Sequence, residues 1–170
     1  MAGLVAACSS GSGNERAKLL ALQDSSLAHL TLTSAGVSEE RLPVGATSEN
    51  DATLTIATGL SAGTAAQSAA VEAAMRLRAA GVNFGSADCT TPDFVSLLGT
   101  TTVSRGQQQW PVAVQLLIEG RAGQRGIGRV KPPFVDLVLT IPRDNNGGIS
   151  GGNQVSPACP PALRSAAGLS

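Results

Sequence analysis

Two segments of this chain carry an apolar residue at every second position, and that pattern points to a sheet with one covered face. Over Trp110–Glu119, the residues Trp110, Val112, Val114, Leu116 and Ile118 share one side, with Pro111 marking a start or an edge. Over Phe134–Ile141, Val135, Leu137, Leu139 and Ile141 point one way, and Asp136 and Thr140 the other. Shorter alternations occur at Leu27–Thr33, where Leu30 and Leu32 oppose His29, Thr31 and Thr33, and at Asp51–Thr58, where Leu54 and Ile56 oppose Thr53 and Thr55. Val82 and Phe84 begin a further strand. Strands covered on both faces read as continuous apolar runs, so alternation predicts a largely antiparallel sheet with one wet side.

Something must cover the dry side. Thr64–Ala80 carries a stripe of Ala66, Ala70, Val71, Ala74, Met75 and Leu77 at helical spacing, with Ser61 or Thr64 as a cap. Glu72 and Arg76 stand four apart, and Gly81 falls where a left-handed C-terminal cap belongs. A shorter helix is predicted over 15–22, with Ala17, Leu20 and Ala21 on one face. Residues 34–50 read as a loop. The expected fold is α+β: a mainly antiparallel sheet with one long helix, about 64–80, packed on one face.

Composition limits both the core and the partners. Three Phe, one Trp and no Tyr among 170 residues leave burial to Val, Leu, Ile and Ala. Lys+Arg and Asp+Glu both number 12, so no net field draws nucleic acid. The sequence contains no run of 18 apolar residues that would cross a membrane as a helix.

Three motifs bear on chemistry. Gly59-Leu60-Ser61-Ala62-Gly63 has the G-x-S-x-G form of a nucleophile elbow between a strand and a helix, which would make Ser61 the nucleophile of a secreted serine hydrolase. That chemistry needs a histidine after the serine, whereas the single histidine, His29, precedes it. The same residues also suit a turn that leads into the helix. Residues 120–131 carry Arg121, Arg125, Arg129 and Lys131 on a glycine-rich background, a candidate anion-binding loop that matches no phosphate-loop or dinucleotide pattern. Asp88, Asp93 and Glu119 form no recognisable acid/base pair, no metal-ligand spacing is present, and no cofactor is expected.

The start, Leu4-Val5-Ala6-Ala7-Cys8-Ser9-Ser10-Gly11-Ser12-Gly13, resembles the lipobox of small lipoproteins from high-GC Gram-positive bacteria. Arg41–Thr47 and the Ala-rich helix ending at Gly81 add compositional echoes of that group. The resemblance implies cleavage before Cys8, a diacylglycerol on its sulfur and an extracytoplasmic, membrane-anchored location. Met1–Ala7 holds no positive charge, so a full signal needs a start upstream of Met1. With Cys8 acylated, Cys89 and Cys159 remain to form a disulfide. The resulting organisation is a residual signal segment (1–7), a lipidation site and Ser/Gly linker (8–13), one domain (14–143) and a Gly/Pro/Asn-rich mobile tail (144–170). The expected function is a non-enzymatic binding or interaction module displayed on the envelope, with the membrane as one partner and an envelope protein or anionic ligand as another. The alternatives are the Ser61 hydrolase and a reading frame without a stable functional product.

Overall fold

The computed structural model describes residues 10–44, 51–91, 93–120, 130–142 and 154–169. In chain order these form α1 (Ser10–Asp24), a 3-10 turn (Ser26–His29), β1 (Ala35–Val44), β2 (Ala52–Leu60), α2 (Ala66–Ala79), β3 (Asn83–Thr91), β4 (Phe94–Arg105), β5 (Gln108–Glu119), β6 (Phe134–Ile141) and α3 (Pro161–Ala167). The strands make one sheet in the order β1-β2-β6-β5-β4-β3, with every neighbouring pair antiparallel. The predicted antiparallel sheet is present, in a mixed α/β fold. The single long helix is not: α1 and α2 have 15 and 14 residues, α3 has 7, and all three contribute to one core.

The last strand lies at the centre. Leu137 of β6 stands opposite Ile56 of β2 on one side and Leu116 of β5 on the other, and β5 aligns Leu116 with Leu97 of β4. These rows form the covered face, with Leu97, Leu116 and Leu139 essentially inaccessible. Pro111 sits outside Ala113–Glu119, the part of β5 that pairs with β6, so its missing N–H breaks no ladder on that side.

Helix α2 turns Ala66, Ala69, Ala70, Ala73, Ala74 and Leu77 to the core. Its buried face is therefore rotated from the expected stripe, leaving Met75 53% exposed. Alanine brings the backbone close to the sheet and suits a core with few large rings. No side chain caps the helix start: the N-cap is Ala65 and neither Ser61 nor Thr64, and the Ser61 hydroxyl donates to Ala35 O. The C-terminus ends as predicted, with Gly81 at φ +90. Val82 N–H bonds Leu77 O at 2.9 Å and Gly81 N–H bonds Arg78 O at 2.9 Å, the paired bonds of a Schellman cap.

Other sequence expectations are corrected. Leu27–Thr33 is a 3-10 turn and an extended connection outside the sheet. Its alternation still places Leu30 and Leu32 against the core, since period-two burial does not require a strand partner. The loop expected from residue 34 contains β1, whose Glu39, Arg41 and Pro43 share the register side of Thr58, Ile56 and Leu54. A charged edge strand reads poorly as a strand in sequence but guards an open edge. The tail expected to be mobile places residues 154–169 against the domain. Leu163 and Ala167 are buried, Val155 bridges Ala87 in parallel, and Cys159 is bonded to Cys89.

Candidate functional site

A space of about 190 Å³ remains between the covered sheet face, α2 and the connection that precedes β1. Its floor is Ile56, Leu116, Val135 and Leu137. Leu27, Leu30 and Leu32 form a wall, and Ala73 is the part of α2 that reaches it. Three small residues, Ala35, Gly36 and Ala73, belong to its lining. Thr31, Thr58 and Glu39 are the polar residues of its lining among the described residues, and Glu39 is the charged one.

The wall is held by Glu72 of α2. Thr33 donates both its N–H and its hydroxyl to Oε1, the latter at 2.8 Å. Ser34 N–H and hydroxyl donate to Oε2 at 3.1 and 2.8 Å. Arg76 Nε adds a contact to Oε1 at 3.2 Å, realising the predicted i, i+4 pair. Burial alone would raise this carboxyl's pKa, but the bonds from Thr33 and Ser34 outweigh it and hold the group at about 2. Sequence reasoning found Glu72 as a helix-surface residue and had no means of seeing its distant partners.

At the mouth, Arg41 Nε donates to Glu39 Oε1 at 2.8 Å, with side chains 40% and 45% exposed. Arg41 itself is not part of the lining. On the opposite face of the sheet lies Asp136, outward as the alternation predicted yet only 5% exposed. Its Oδ1 has no hydrogen-bond partner among the described residues. Burial, reinforced by the charge of Glu119, raises its carboxyl to about 6. Ala57, Val130 and Phe134 form a small second apolar cluster, with Ala57 directly opposite Asp136.

Among the described residues, Ser61 makes no side-chain hydrogen bond to an acid or base. Its hydroxyl donates to Ala35 O at 3.0 Å and its N–H to Ser34 O at 3.0 Å, so it ties the α2 approach to the start of β1. His29 ends the 3-10 turn, exposed. Cys89 and Cys159 form a disulfide with Cα atoms 5.0 Å apart, as expected. Lys131 is exposed, whereas Cys8, Arg121, Arg125 and Arg129 lie outside the described residues. Among the described residues, no group of three metal-ligating side chains gathers, and no helix is long and apolar enough to cross a membrane.

The chain matches no protein-family model, and neither the curated proteins nor the solved structures contain a significant match.

Proposed function

We propose that this chain is a lipid-anchored, extracytoplasmic binding module without enzymatic activity. In this reading a diacylglycerol on Cys8 holds the domain at the membrane, α1 follows from Ser10 in place of the expected Ser/Gly linker, and the domain holds a small apolar ligand. The observation that carries the binding role is the cavity of about 190 Å³ lined by Leu27, Leu30, Ile56 and Leu137. A partly open, mainly apolar pocket with a few polar groups is the default place for a ligand. The exported setting draws support from the lipobox-like start and from the Cys89–Cys159 disulfide, a bond that persists in oxidising compartments.

Methyl-labelled protein under xenon pressure tests the cavity. Resonances of Leu30, Leu32, Ile56 and Leu137 shift saturably if it accepts an apolar guest, and unmoved methyls refute the binding role. Mass spectrometry of the mature N-terminal peptide tests the anchor: a diacylglycerol thioether on Cys8 is expected, and an unmodified Cys8 preceded by residues 1–7 refutes it.

A further inference from the structure

We propose that the cavity selects small hydrophobic amines, with a body of about one ring inside and an ammonium group at the Glu39 carboxylate. This deepens the binding-module reading and rests on it. Size sets the first limit. An apolar cavity of about 150 Å³ accommodates benzene, whereas pockets for drug-sized ligands begin near 300 Å³. At about 190 Å³ this one suits a single ring or a short branched chain, and not a diacyl lipid.

Charge sets the second limit. Glu39 is the one acidic or basic residue of the lining among the described residues, joined there by Thr31 and Thr58. A carboxylate accepts hydrogen bonds only, so it repels an acid and rewards a cation. Arg41 already shows that preference: it reaches Glu39 from outside the lining, Nε to Oε1 at 2.8 Å. Both partners are nearly half exposed, where an ion pair contributes little. An incoming ammonium therefore shares or replaces the guanidinium at small cost while its apolar body leaves water. No such exchange favours a ligand carboxylate, because Arg41 is absent from the lining.

The test is a methyl-resolved NMR titration of the full chain with benzylamine, toluene and benzoate. Benzylamine is expected to bind most tightly and benzoate most weakly, with shifts at Leu30, Ile56 and Leu137. Glu39→Gln weakens benzylamine about fivefold, the scale of an exposed ion pair, and leaves toluene unchanged. Ala73→Leu fills the cavity and abolishes binding of benzylamine and toluene; should that variant lose cooperative unfolding, Thr58→Ile serves the same purpose. Equal affinity for benzoate and benzylamine, or a benzylamine affinity indifferent to Glu39→Gln or to filling, overturns the amine proposal. Toluene or xenon entering in that case leaves the binding-module reading standing. Cavity methyls that respond to no probe, xenon included, overturn both.

Discussion

Replacing Glu72 by Gln removes the charge that fastens the cavity wall to α2. Four donor groups from Thr33 and Ser34 converge on this carboxylate, and it is held at about 2 against an ordinary 4.5. That difference corresponds to about 3 kcal/mol of folding free energy. The carboxylate is 17% exposed but its Thr33 and Arg76 partners face solvent, so screening lowers this figure toward the about 1.5–3 kcal/mol of hydrogen bonds to charged groups. Because the folded pKa lies below the unfolded one, the contribution is complete above about pH 4.5 and is lost as the pH falls through 2. Urea denaturation of wild type and Glu72→Gln is thus expected to differ by about 2–3 kcal/mol at pH 6, with the gap closing toward pH 2. Hydrogen exchange at the Thr33 and Ser34 amides rises in the variant at pH 6. A gap that stays constant between pH 6 and 2.5, or one below about 0.5 kcal/mol throughout, refutes the assignment of these bonds to an ionised Glu72.

Asp136 titrates in the opposite sense: its raised pKa means stability is full below 3.8 and is lost as the pH rises through about 6, so Asp136→Asn is expected to stabilise the protein by about 2–3 kcal/mol at pH 7.5 and to be neutral at pH 3.5, read by denaturant titration at both values. Reducing Cys89–Cys159, which are 70 residues apart, removes a cross-link worth about 4 kcal/mol on the chain-entropy model. Calorimetry with reductant should show Tm falling by about 8–16 °C, with protease cleavage near α3 as the first sign. Gly81→Ala places a Cβ at φ +90 and should cost about 1–2 kcal/mol in thermal melts, without altering benzylamine binding. Ser61→Ala loses one exposed hydroxyl bond to Ala35 O, costs about 0.5–1 kcal/mol, and leaves fluorophosphonate labelling at background in both proteins; labelling of wild type alone would restore the hydrolase reading.

Local pattern determined a substantial part of this molecule. Alternation at Trp110–Glu119 and Phe134–Ile141 placed side chains on the correct faces of β5 and β6, because side-chain direction in an extended chain follows from backbone geometry alone. The Gly81 terminus was equally legible, since its cap is closed by residues within one turn. Tertiary structure decided the rest. Strand β4 went unread in the sequence and is fixed by its pairing with β3 and β5, and β1 was concealed by the charges that protect an edge. Whether Leu30 and Leu32 lay in a strand depended on a sheet position already taken by other segments. The tail is held by one long-range disulfide and by apolar side chains packed against the domain, Leu163 and Ala167 the most deeply. The candidate site was invisible in the chain because an absence of atoms has no sequence signature. It arises where Ala35 and Gly36 of β1, Ala73 of α2, Leu116 of β5 and Leu137 of β6, distant in sequence, come together.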